Sequence, residues 1–310
     1  MFKVFIDGAE GTTGLRIHER LAGRADIELV KLPEAERKSA AARADALNSC
    51  DLAILCLPDD AAREAAAMTV NPAVRIIDCS TAHRTAPGWT YGFPELSPER
   101  REAIKNARRV ANPGCHASGF ISLVYPLVSA GVLPASALLT CHSVTGYSGG
   151  GKKMIAGYEA EERDVLLDAP RQYGLTQKHK HLPEMKAVCG LESEPVFCPI
   201  VSDYYAGMMT TVPVFSSQLA PGKGIDDIKA VYAELYKGPV VTFVDGADED
   251  GFLSGGGLSG SDAMEITVRG NEERILLISR FDNLGKGASG SAVQCMNVML
   301  GFGETEGLSV

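Results

Sequence analysis

The chain has 310 residues, 45% of them hydrophobic and 22% charged, with 33 glycines and a formal net charge of −9. That profile fits a globular enzyme of roughly two domains and excludes a disordered or fibrous chain. The acidic balance, with no Lys/Arg-rich run, argues against nucleic acid or an anionic membrane as partner, and no apolar stretch approaches the roughly 20 residues of a membrane span. The N-terminus runs straight into a glycine turn without a signal-peptide layout, so the cytoplasm is the expected location. The eight cysteines are scattered without a C-x-x-C pair, most of them inside apolar runs, and read as reduced core residues rather than a disulfide frame or a zinc site.

In chain order, the first half alternates short apolar strands at residues 3–7, 27–31, 52–56, 74–78 and 108–111 with helical stretches at 12–22, 34–47, 61–68 and 98–106. This rhythm predicts a Rossmann-type doubly wound parallel sheet. Beyond Cys115 a helix to about residue 130 precedes longer alternating strands at 138–144, 195–201, 208–215, 240–244, 264–269 and 274–280, which predict an α+β domain with a mainly antiparallel sheet. A final helix of small and apolar residues, 286–300, is expected to pack back on the first domain. The acidic, then glycine-rich stretch 245–260 is expected to be a solvated surface loop, because its spacing fails that of a calcium loop.

The first strand leads into Gly8-Ala9-Glu10-Gly11-Thr12-Thr13-Gly14 and then an apolar helix. Glycines there permit a tight turn and bring backbone N–H groups against a pyrophosphate at a helix N-terminus. The spacing is one residue wider than the usual dinucleotide fingerprint, and a purely structural turn is the bland alternative. The second strand ends at Lys31, with Arg37 and Lys38 nearby, where an NAD enzyme would carry Asp or Glu, so these cations favour a ribose 2′-phosphate and hence NADP. Pro58, Ser80 and Arg84 follow the third and fourth strands, at the carboxyl edge where such sheets bind ligands.

Asn112-Pro113-Gly114-Cys115 closes one segment and opens an apolar helix. A thiol at a helix start meets unpaired N–H groups and the positive end of the helix dipole, which stabilise the thiolate, so Cys115 is the first candidate nucleophile. The run 142–153, with Ser148, Gly149, Lys152 and Lys153, combines hydroxyls, bare glycine backbone and lysines suited to an anion. His179-Lys180-His181-Leu182-Pro183-Glu184 places two imidazoles before a helix opened by Pro183, and imidazole suits proton exchange near neutral pH. H-x-H also allows a metal, but no matched cysteines or further histidines accompany it, and no metal is expected.

Together these residues resemble the N-acetyl-γ-glutamyl-phosphate reductase family in its shorter form, and more distantly aspartate-semialdehyde and glyceraldehyde-3-phosphate dehydrogenases. The glycine turn, Asn112–Cys115, the 148–152 loop, 179–184 and 281–288 carry the resemblance. It implies a glyceraldehyde-3-phosphate dehydrogenase-like fold, with an NADP(H)-binding domain at 1–114 and 285–310 and a catalytic and oligomerisation domain at 115–284. It also implies NADPH-dependent reduction of an acyl phosphate to an aldehyde in arginine biosynthesis, through a Cys115 thioester assisted by His179 or His181 and oriented by Glu184. Asn283 and Gly287 are implied as nicotinamide contacts, and a homodimer or homotetramer as the assembly. An acidic protein binding an anionic acyl phosphate must focus positive potential locally, so Arg84, Lys152 and Lys153 are candidate substrate contacts, with Asn112, Ser148 and Gly149 in the same motifs. The rivals are an aspartate-semialdehyde dehydrogenase or another acyl-phosphate reductase, a cysteine hydrolase, which leaves the glycine turn without a role, and an NADP-binding regulator without turnover.

Overall fold

The computed structural model describes residues 1–310, which divide into two compact units. The first comprises residues 1–94, 98–113 and 288–308; the second comprises 95–97, 114–287 and 309–310. No helix is long and apolar enough to cross a membrane.

In the first unit β1 (Phe2–Asp7), β2 (Ile27–Val30), β3 (Leu52–Leu55), β4 (Arg75–Asp78), β5 (Thr90–Tyr91) and β6 (Arg109–Ala111) form one parallel sheet in the order β2-β1-β3-β4-β6-β5. The two-residue period of a strand sorts its side chains into two cores. Val4, Ile6, Leu52, Ile54 and Ile77 face α1 (Thr12–Leu21) and the C-terminal helix, meeting Ile17, Leu21, Val293 and Met296. Phe5, Ala53, Leu55 and Ile76 face α2 (Ala40–Ser49) and α3 (Asp59–Met68), meeting Leu47 and Ala65. Burial on both faces is why β3 reads as an unbroken apolar run. The fourth helix of this unit, α4 (Pro98–Asn106), precedes β6.

The second unit opens with α5 (Cys115–Ser129), followed by β7 (Thr140–Gly146), α6 (Gly151–Tyr158), β8 (Arg171–Gln172), α7 (Leu182–Cys189), β9 (Val196–Ser202), β10 (Met208–Phe215), α8 (Ile225–Leu235), β11 (Val241–Phe243), β12 (Met264–Gly270) and β13 (Arg274–Phe281). Its seven-stranded sheet runs β11-β12-β13-β10-β7-β9-β8. Pro126 lies inside α5 and has no N–H for the Ser122 carbonyl four residues back. The Tyr236 hydroxyl donates to that carbonyl instead, at 2.6 Å, and Tyr232 donates to Leu123 at 2.5 Å. A buried apolar helix with a proline in it is thereby fully hydrogen-bonded at that turn, by two tyrosines of α8 and the segment after it.

Several elements differ from the sequence expectation. Residues 34–47 are not one helix: a single 3₁₀ turn, Glu34–Glu36, precedes α2, which Ser39 caps by accepting from the Ala42 N–H at 3.3 Å. The C-terminal helix begins with a π-helical turn, Gly285–Ser289, and continues as α9 (Gly290–Leu300). The second sheet is mainly antiparallel, but β7 with β9 and β11 with β12 are parallel pairs, since crossover segments that include α6 and α7 in the first case and the whole 245–260 stretch in the second separate them in the chain. Neither α8 nor the edge strand β5 is among the expected elements. The 245–260 stretch is exposed yet pinned: Asp245 pairs with Lys229 at 2.9 Å, Asp248 with Arg269, and Glu249 with the buried Arg280.

Candidate active site

Cys115 is the first residue of α5, and its N-cap Gly114 offers no side chain to the helix's unpaired N–H groups. The Gly114 N–H itself donates to Oε1 of Glu184 at 2.8 Å. Glu184 is only 1% exposed and comes from the first turn of α7, where Pro183 fits because its missing N–H would have been unpaired anyway. This one bond ties the 179–184 segment to the residue before the thiol. Within that segment the His181 backbone N–H donates to Nδ1 of His179 at 3.3 Å, and the two rings lie 4.8 Å apart. A donor aimed at Nδ1 makes that nitrogen an acceptor, so neutral His179 carries its proton on Nε2.

A third imidazole completes the group. His116 follows the cysteine directly, is buried, and has its ring 5.9 Å from that of His179 and 5.7 Å from that of His181. Its Nδ1 lies 2.7 Å from the Ser143 hydroxyl and its Nε2 2.6 Å from the Tyr173 hydroxyl. Burial, with the nearby His179 adding, pushes its pKa down to about 3, so the ring is neutral at physiological pH. Burial likewise raises the Tyr173 pKa, with a smaller contribution from Cys115, and the phenol keeps its proton. Motif spacing did not single out His116 or Tyr173. The available signals were the position of His116 beside the nucleophile and the alternation of β7 that turns Ser143 inward.

The other expected substrate and nicotinamide contacts in this unit have defined surroundings. Asn283 is buried; its Oδ1 accepts from the Gly207 N–H at 2.9 Å and its Nδ2 donates to Ser148 at 3.0 Å, so its amide braces the Ser148 loop. Gly149 and Lys152 flank the start of α6, with Lys152 exposed. Gly287 lies against Cys115: a Cβ there would sit 3.0 Å from its Cβ.

The first unit holds the glycine turn. Gly8 has φ +87, and a Cβ on it would lie 2.3 Å from the Cys56 carbonyl oxygen; one on Gly14 would lie 2.4 Å from the Gly8 carbonyl oxygen. Neither position admits a side chain. Gly11 is the N-cap of α1, and Thr12 and Thr13 begin its first turn. Beside them lies a cavity of about 570 Å³ lined by Gly8, Ala9, Leu29, Lys31, Arg37 and Lys38, among others. Backbone bared at a helix N-terminus beside such a cavity fits the adenosine and pyrophosphate of a dinucleotide. Pro58 caps α3. Ser80 is committed to Asp78, its N–H at 2.9 Å and its hydroxyl at 2.7 Å. Arg84 donates to the carbonyls of Asn112 at 3.0 Å and Cys79 at 3.3 Å, so it braces the backbone just ahead of Cys115. Asn112 donates to the Ala288 carbonyl at 3.0 Å, while its buried Oδ1 has no partner, leaving an acceptor for a ligand.

Comparison with known proteins gives this arrangement a family. Residues 3–107 match the model of the semialdehyde dehydrogenase NAD-binding domain and residues 115–283 that of the semialdehyde dehydrogenase dimerisation domain. The N-acetyl-γ-glutamyl-phosphate reductase of Rhizobium meliloti (strain 1021) is 50% identical over 305 residues, covering 96% of this chain and 98% of that protein. The chain belongs to the N-acetyl-γ-glutamyl-phosphate reductase family. An N-acetyl-γ-glutamyl-phosphate reductase 2 from Nostoc sp. is 46% identical over 99% of both chains. Among solved structures, aspartate semialdehyde dehydrogenase II of Vibrio cholerae superposes with a TM-score of 0.72 at 16% identity, covering 97% of this chain and 98% of that one, a likeness of fold. Membership makes the chain an oxidoreductase whose first domain takes a nicotinamide cofactor.

Proposed function

We propose that this chain reduces N-acetyl-γ-glutamyl phosphate to N-acetylglutamate 5-semialdehyde and phosphate, in arginine biosynthesis, with NADPH as reductant and Cys115 as nucleophile. The observation that carries this reading is the bare start of α5, where Cys115 follows a Gly114 whose N–H is gripped by Glu184 beside two histidines. The thiolate, stabilised by the helix N-terminus, attacks the acyl carbon; the C–O bond to phosphate breaks, phosphate leaves, and a thioester to Cys115 remains. A nicotinamide cofactor held at the glycine turn and the cavity beside it would supply the hydride that reduces the thioester carbon. The resulting oxyanion takes a proton, and later the C–S bond breaks, the thiolate re-forming as the hydroxyl proton is given up and the aldehyde departs.

The two histidines divide this work. His179 accepts at Nδ1 from the His181 backbone and so presents Nε2–H, a donor suited to the developing oxyanion. A proton added at Nδ1 would face that same N–H, donor against donor, so His181 is the residue that exchanges protons. Lys31, Arg37 and Lys38 at the cavity rim favour the 2′-phosphate of NADP. Asn112, with its unpaired Oδ1, and the loop bearing Ser148, Gly149 and Lys152 are read as substrate contacts.

The assembly is read as a homodimer, with a homotetramer as the larger alternative, built through the second sheet. Register sets Ile200, Val144 and Met209 side by side across β9, β7 and β10, a half-buried apolar row. Light scattering should give about twice 32.9 kDa or a higher even multiple; a monomer would refute it. A cytoplasmic location goes with this reading, because the eight scattered cysteines lack the spacing of a disulfide frame.

The reaction is tested in reverse, by following NADP reduction with phosphate and either N-acetylglutamate 5-semialdehyde or aspartate semialdehyde. Turnover is expected with the first and not the second, and faster with NADP than NAD. The opposite aldehyde preference would assign the chain a different acyl phosphate.

A further inference from the structure

His116 has no role in the chemistry proposed above, yet its ring is held at both nitrogens. Both ring nitrogens have hydroxyl partners, Ser143 at 2.7 Å and Tyr173 at 2.6 Å, and Ser143 is itself 3.0 Å from the Thr210 hydroxyl. The bridge therefore runs from β10 through β7 and the first turn of α5 to the segment just after β8. Its far end touches the histidine pair: the Tyr173 ring is 5.9 Å from His179, and Phe197 of β9 packs edge-on to both His116, at 5.2 Å, and His179, at 5.1 Å.

The titratable groups facing His116 are Cys115 on its own helix, Tyr173, and His179 and His181 of the segment before α7. Glu184 of α7 is bonded instead to the Gly114 N–H, and Ser143 and Phe197 bring no charge. With hydroxyls at both nitrogens and no carboxylate among its ring partners, an imidazolium here would be buried without a counter-ion. His116 is thus poorly placed to move protons and well placed to hold things still.

We propose that His116 is a positioning residue, an uncharged bridge from Ser143 to Tyr173 that fixes the ring of His179, and through it His181, beside Cys115. The inference rests on the reading of Cys115 as nucleophile and extends it to why a third imidazole stands directly after the thiol. Holding the pair still matters because a displacement of about 1 Å in a reacting group costs roughly 100-fold in rate.

Two variants separate hydrogen bonding from packing. Tyr173→Phe removes one hydroxyl and keeps the ring; His116→Phe keeps the aromatic volume and removes both bonds, leaving Ser143 its Thr210 partner. Each should lower kcat roughly 10- to 100-fold with KM changed less than about threefold, and the double variant should be no worse than the worse single one, as for residues acting in one unit. The pH midpoint for alkylation of Cys115 by iodoacetamide should move upward in both, because a loosened histidine pair stabilises the thiolate less. A packing role alone would leave that midpoint fixed and His116→Phe nearly as active as the parent, which would overturn the proposal. So would a ¹³C-labelled His116 resonance that titrates between pH 6 and 7 in the folded protein. Loss of the nucleophile reading is distinguished separately: Cys115→Ala would then retain turnover, whatever the two bridge variants do.

Discussion

At Gly287 the space for a side chain is taken on one side by Cβ of Cys115 at 3.0 Å and on another by the Asp282 carbonyl oxygen at 3.1 Å. Both neighbours are fixed, one as the first residue of a helix and one as backbone. Gly287→Ala should therefore displace the thiol rather than unfold the chain, with kcat reduced roughly 100-fold and a far smaller change in melting temperature. Parental kcat would show that Cys115 has room to retreat. His116 carries a second consequence. Its folded pKa, about 3, lies below the ordinary 6.5, so below about pH 6.5 the unfolded chain binds a proton that the folded chain does not. The stability it contributes is complete above that pH and is lost as pH falls toward 3, with a slope of about 1.4 kcal/mol per pH unit. Urea unfolding at a series of pH values should show His116→Phe with a slope shallower by about one proton; equal slopes would mean that His116 is charged in the fold. The thiol and both histidines before α7 were legible in the sequence because a helix start and a Pro-led turn have local signatures. Tyr173 was not, since its meeting with His116 depends on the pairing of β8 with β9.

Among elements, the π-helical turn Gly285–Ser289 lies where the chain passes Cys115, and π turns are commonly kept at functional sites. Lys286 in this turn is 1% exposed and pairs with both oxygens of Glu95, at 2.7 and 2.8 Å. No local signal marks this pair: 191 residues separate its members, and Lys286 sits in what reads as an apolar helix. Removing one member strands the other charge in the interior. Lys286→Met should cost about 3–5 kcal/mol in urea unfolding, and adding Glu95→Gln should recover part of that loss. A double variant less stable than Lys286→Met would show that the pair is not an isolated unit. Elements with a complete local signature, such as β3 and α5, stand where periodicity puts them. The 34–47 stretch splits because Ser39 caps a new helix inside it, and α8 shows its purpose only in space, where Tyr232 supplies a donor to an α5 carbonyl.

For the whole molecule, the alternation of strands and helices before Cys115 and the longer strands after it were enough to separate a parallel dinucleotide-binding sheet from a second, mainly antiparallel one, because each sheet type requires its own connections. Strand order within the second sheet was not legible, since register is decided by distant partners such as β10 and β13. The acidic surface also has a consequence: at net charge −9 the protein must meet an anionic substrate with local donors, and the glycine turn, the start of α5 and the Lys152 loop are the places where backbone N–H groups and cations gather. Covalent catalysis at Cys115 is tested by rapid-quench release of phosphate from N-acetyl-γ-glutamyl phosphate with no reduced cofactor present, paired with intact-protein mass spectrometry. A burst of one phosphate per active site, with one acyl group on Cys115 and neither in Cys115→Ala, is expected; phosphate release without an acyl-enzyme, or an unchanged burst in Cys115→Ala, would contradict it.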